Sequence, residues 1–106
     1  MTDQEINQRL ALAIGYTRLQ ISMQTSLGVY AVLHNGYWKE FDYRDWRTIG
    51  PIAQKYDAFP FAYRHNRSDA IDEWTVSING NAYTAETTQK VIALAVIDEI
   101  GGFKIP

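Results

Sequence analysis

The chain has 106 residues, 46% hydrophobic and 21% charged, with a net charge of −2. That is room for a single domain, 1–106, of ordinary globular composition. The charge is too small for a protein that holds nucleic acid through a basic face, or for an acidic mimic of DNA. Cysteine is absent, which removes disulfides, thiolate zinc sites and cysteine nucleophiles together. A small domain without such staples points to a cytoplasmic home. The polar start Met1-Thr2-Asp3-Gln4-Glu5 is unlike a secretory signal. The longest apolar run, Val91 to Ile97, is far short of the roughly 20 residues that cross a bilayer, so no membrane association is expected.

Thr2-x-x-Glu5 is a capping box. Ile6, Leu10, Ala13 and Ile14 follow on one helical stripe, and Gly15 can take the left-handed stop position. The spacing predicts a helix over 3–14. Leu19 and Ile21 then alternate with polar neighbours, as a half-buried strand does. Val29 to Leu33 and Tyr37 to Phe41 are β-rich runs around His34-Asn35-Gly36. Asn-Gly supplies the positive φ angles of a type I′ turn and predicts a hairpin.

Helical spacing returns with Trp46, Ile49, Ile52 and Tyr56, but Gly50-Pro51 interrupts it. A proline removes a helical donor, so a short turn over 43–48 and a helix begun by Pro51 are expected, with Asp42 or Asp45 as N-cap. Phe59, Phe61 and Tyr63 alternate as a strand, and Pro60 places it near a sheet edge. Arg64 to Asp72 is a polar loop. Trp74, Val76 and Ile78 form the next strand, Asn79-Gly80-Asn81 a second tight turn, and Ala82–Tyr83 a short strand able to pair back. Glu86 to Ile100 is the last and most buried helix, ended by Gly101-Gly102. The fold class is α+β: an antiparallel or mixed sheet of about five strands flanked by helices, in the order α-β-β-β-α-β-β-α. Leu10, Ile14, Trp74, Val76, Leu94 and Ile97 are expected in its core, as is Trp46.

This layout resembles the phage ABA sandwich domain, found in short phage and prophage proteins related to the NinX-like group. The residues that carry the resemblance are Leu12-Ala13-Ile14-Gly15-Tyr16, Asp42-Tyr43-Arg44-Asp45-Trp46 leading into Ile49-Gly50-Pro51-Ile52, Trp74-Thr75-Val76-Ser77-Ile78, and Ala93-Leu94-Ala95. It implies a central antiparallel sheet between helical layers and a phage setting. It implies no catalytic residue.

His34 and His65 are the only imidazoles, and no ligand spacing joins them to a carboxylate, so a metal site is not expected. Asp69, Asp72 and Glu73 form one acidic cluster, and Glu40, Asp42 and Asp45 another. Neither has the alternation of a calcium loop. No nucleophile elbow or phosphate-binding glycine loop occurs. The expectation is therefore a protein that is not an enzyme, needs no cofactor, and binds a host or phage protein or a second copy of itself. Tyr30, Tyr37, Tyr43 and Tyr83 are candidates for the interface, because tyrosine buries ring area while its hydroxyl stays paired. The alternative is a sponge for a small anion or nucleotide, such as a defence signal. Its candidates are Arg64, His65 and Arg67 beside Tyr63, where guanidinium forks adjoin a ring.

Overall fold

A computed structural model describes residues 1–63 and 73–101. Helix α1 spans Asp3–Ala13, and the Thr2 hydroxyl accepts a hydrogen bond from the Glu5 backbone N–H at 3.2 Å. At its other end Tyr16 N–H donates to the Ala11 carbonyl and Gly15 N–H to Leu12. Gly15 has φ +114°, so the helix closes in a Schellman turn. The strand expected around Leu19 is instead a single 3-10 turn, Arg18–Gln20, followed by strand β1, Ile21–Met23. Leu19 is 91% exposed. The reason is local: the Gln20 side chain accepts from the Thr17 backbone N–H at 2.9 Å and Gln20 N–H bonds back to the Thr17 carbonyl, winding the chain before it can extend.

Strands β2 (Tyr30–His34) and β3 (Tyr37–Phe41) form the expected hairpin, with Asn35 and Gly36 at φ 51° and 82°. Helix α2 runs unbroken over Trp46–Tyr56 with Asp45 as its N-cap, in place of a turn and a restarted helix. Pro51 is tolerated because Gly50 precedes it: without a Cβ, Gly50 escapes the clash that bars most residues before proline from the helix. The carbonyl that loses its donor belongs to exposed Arg47. Trp46 is half exposed at the helix start rather than in the core. Asp57, left-handed at φ 54°, ends the helix.

Strand β4 (Phe61–Tyr63) lies at a sheet edge, as Pro60 suggests. Strands β5 (Glu73–Ile78) and β6 (Asn81–Ala85) enclose the Asn79-Gly80 turn, and helix α3 spans Thr88–Gly101. The expected loop Arg64–Asp72 and Gly102 lie outside the described residues.

The class is α+β, but the sheet is not single. The described strands form two antiparallel sheets, β1-β2-β3 and β4-β5-β6. Nor do helices flank a central sheet. Packing runs in series: the first sheet on α1, α1 on α3, α3 on the second sheet, with α2 also against α3. Helix α3 explains this order. Val91, Ile92, Ala93, Ala95, Val96 and Ile97 are all buried and wrap the helix, so only a central position covers them. Each sheet needs to hide one face alone. In the first, the paired residues Ile21, Val32, Tyr30 and Phe41 turn inward, while Ser22, Trp38 and Glu40 face out.

Leu10, Val76 and Ile97 are buried as expected, whereas Ile14, Trp74 and Leu94 are only partly buried against the core. Truncating Ile97 to alanine should therefore cost about 3–4 kcal/mol through lost burial plus a cavity. Leu94→Ala should cost about 1–2 kcal/mol; urea unfolding of both variants checks the order. Gly36→Val places a β-branched residue at positive φ in the first hairpin and should destabilise by about 1–3 kcal/mol, read as a lower thermal midpoint.

Candidate functional site

Two side-chain networks tie separate elements together. In the first, Asn7 is fully buried in α1. Its amide donates to the Gly28 carbonyl at 2.8 Å and to Asp42 Oδ1 at 3.2 Å, and its oxygen accepts from the Tyr43 N–H at 2.7 Å. Arg44 donates to Asp42 at 2.9 Å, to Asp3 at 3.0 Å and to the Leu27 carbonyl at 3.1 Å. The Tyr43 hydroxyl donates to Asp3 at 2.5 Å. Gly28 sits so close to α1 that a Cβ there would lie 2.8 Å from the Gln4 nitrogen. Burial pushes the Tyr43 hydroxyl pKa up, and the Asp3 carboxylate raises it further.

In the second network the Tyr83 hydroxyl reaches Asp98 at 2.5 Å and also Glu99, which accepts from Asn81 at 2.6 Å. One hydroxyl proton serves two carboxylates, so the cluster ties the β5–β6 turn to the end of α3. Burial and these hydrogen bonds to acids raise the Tyr83 pKa. Both networks are satisfied internally and hold the fold.

The Tyr83 cluster borders a hollow of about 480 Å³ between β6 and α3, and a more extended concave surface lies elsewhere. A groove runs between the end of α1, the β2–β3 hairpin and the outer side of α2. It has two lobes of about 350 and 520 Å³, and Ile14, Tyr16, Pro51 and Ile52 line both. The Schellman turn after α1 delivers Tyr16 here. Its ring meets Phe41 and His34 edge-on, with centroids 6.3 and 6.1 Å apart, and its hydroxyl hydrogen-bonds His34 Nδ1 at 3.1 Å. Desolvation raises the Tyr16 pKa. The rim carries Lys39, Arg47 and Lys55 against Glu40 and Asp45. Arg47 is held by Asp45 at 2.6 Å and feels the charge of Glu40. Among the described residues Lys39 and Lys55 form no ion pair.

Of the four tyrosines expected at an interface, Tyr30 and Tyr43 are buried in the core. They face inward because the register of the first sheet puts Tyr30 opposite Phe41, and Asp3 draws Tyr43 in. Tyr83 is half-buried with its hydroxyl occupied. Tyr37 is 79% exposed at the hairpin tip. Arg64, His65 and Arg67 lie outside the described residues, and Tyr63 is the last residue of β4. Glu40, Asp42 and Asp45 do not meet at one point: Asp42 joins the Asn7 network, while Glu40 and Asp45 lie along the groove rim, where Asp45 also caps α2. No group of three metal-ligating side chains occurs among the described residues, and no described helix is long and apolar enough to cross a membrane. Sequence reasoning missed Tyr16, Lys39 and Lys55. The one signal for Tyr16 was its place just after the Gly15 stop.

The Asp42 carboxyl yields a pH prediction. Burial alone would raise its pKa, but hydrogen bonds from Arg44 and Asn7, with the Arg44 charge, hold it below the ordinary 3.8. A depressed folded pKa gives stability that is present above the unfolded value and lost as pH falls through the folded one. Stability should therefore decline below about pH 4. Thermal midpoints of Asp42→Asn across pH 2.5–6 (a range set by the ordinary carboxylate pKa of about 3.9) should show a shallower decline than those of the parent.

Comparison of the chain with family models, with curated proteins and with solved structures gives no match.

Proposed function

We propose that this protein acts by binding, without catalysis, and that the groove between the β2–β3 hairpin and α2 receives part of a partner protein. The observation that carries the reading is the groove itself. It is an open channel with an apolar floor of Ile14, Phe41 and Ile52, bordered by charged side chains. Such a mix of apolar floor and polar rim suits a protein interface. Exposed Trp38 and Tyr37 lie on the adjoining hairpin and add aromatic area of the kind interfaces use. The proposed setting is a phage or prophage accessory role in the host cytoplasm, with a host or phage protein as partner; this part rests on the sequence resemblance alone.

The test is site-specific photo-crosslinking in a bacterial lysate. A photoreactive side chain at exposed Pro51, which lines both lobes, should give a discrete protein adduct. The same probe at Ser77, exposed on β5 and away from the groove, should give none. Equal labelling from both sites, or none from Pro51, counts against the groove. A thermal shift with nucleotides in place of any adduct would favour a small anionic ligand instead.

A further inference from the structure

Strand β3 borders the groove and ends the first sheet, with no described strand on its outer side. The hairpin loop has two residues, so its closing pair His34–Tyr37 exchanges hydrogen bonds. Pairs alternate along an antiparallel ladder, which makes Val32–Lys39 and Tyr30–Phe41 the other bonded pairs. The N–H and C=O of Trp38 and Glu40 are thereby directed at the open edge. Side chains on the inward face of β3 are Tyr37, Lys39 and Phe41, and Lys39 and Phe41 line the groove. An incoming strand would find main-chain partners at the edge and a channel for every second side chain.

Charge selects what kind of strand. The groove rim has three cations against two carboxylates, in a chain whose net charge is −2. Asp45 is paired with Arg47 at 2.6 Å, whereas Lys39, Lys55 and Glu40 form no ion pair among the described residues, so the rim keeps one net positive charge. Lys39 would face a non-hydrogen-bonded position of an added strand, where opposed side chains come closest. A second copy of this chain fits poorly: the symmetric register that pairs all of β3 sets Lys39 opposite the same lysine of the copy, and like charges directly opposed are destabilising. Edge lysines block self-pairing in this way.

We infer that the occupant of the groove is an extended segment of a different protein, added antiparallel to β3, with an acidic residue opposite Lys39 and apolar residues flanking it on the groove side. This rests on the reading of the groove as a protein-binding site and names the chemistry of the partner. Main-chain bonds from Trp38 and Glu40 would give affinity, and Lys39 would give selectivity.

The experiment uses the full chain and synthetic peptides of about nine residues, the length of a long strand, alternating valine and threonine, with a central glutamate on the valine face. Binding is read from the backbone amide signals of Trp38 and Glu40 by nuclear magnetic resonance. The glutamate peptide should shift both amides, and a lysine-centred counterpart should bind at least about fivefold more weakly. Methylating the peptide nitrogens that face β3 should abolish binding. The exposed substitution Lys39→Glu, which leaves the core untouched, should reverse the preference between the two peptides. Equal affinity for both peptides, insensitivity to methylation, or concentration-dependent self-association moving the same amides would overturn the inference. So would shifts produced by nucleotides and by no peptide. Should no peptide bind while Pro51 still cross-links to a protein, the strand inference fails and the binding reading stands; if Pro51 also gives no adduct, both fail.

Discussion

The buried amide of Asn7 is the constraint on which the arrangement depends. It bonds at once to the segment before β2, through Gly28, and to the segment after β3, through Tyr43 and Asp42. Both ends of the hairpin are thus referred to one point on α1. An apolar residue there would strand the Tyr43 N–H and the Gly28 carbonyl in the interior, and each unsatisfied group costs about 1–3 kcal/mol. Arg44 strengthens the join by reaching both Asp42 and Asp3. Because Asp45 and α2 follow directly, the same join sets where α2 lies relative to the hairpin. The groove between them inherits its width from a hydrogen-bond cluster at the opposite end of α1.

Legibility varied with how local the cause was. Asn35-Gly36 and Asn79-Gly80 both adopt the expected left-handed pair, because the turn is dictated by two residues and no distant contact. The start and stop of α1 were readable for the same reason. The error at α2 came from weighing Pro51 without Gly50, since the glycine removes the steric objection that the proline raises. Leu19 looked like a strand residue, but two hydrogen bonds between Thr17 and Gln20 outweighed its alternation. The separation into two sheets was not readable. It follows from α3 being apolar all round, which requires comparing the needs of three elements at once.

The site was less legible than the fold. Tyrosine surplus pointed to interfaces, yet register buried Tyr30 and the Asp3 carboxylate drew in Tyr43. Asn7 did leave a trace, as a polar residue one turn before Leu10 on the apolar stripe of α1, where a polar side chain must find partners. Lys39 left almost none: its importance lies in being on an edge strand, and sheet order is decided by pairing across the chain.

The serial packing has a consequence for how the chain reaches this state. Helix α1 rests on α3, and some 75 residues separate the end of one from the start of the other. During synthesis the two hairpins can form as they emerge, since their pairings are local. The inner face of the first sheet and the apolar stripe of α1 can meet early, but the far side of α1 stays bare until α3 is complete. Helix α3 is therefore both the centre of the core and the last of the described elements to be synthesised, and the apolar surface of α1 that it covers stays exposed until then.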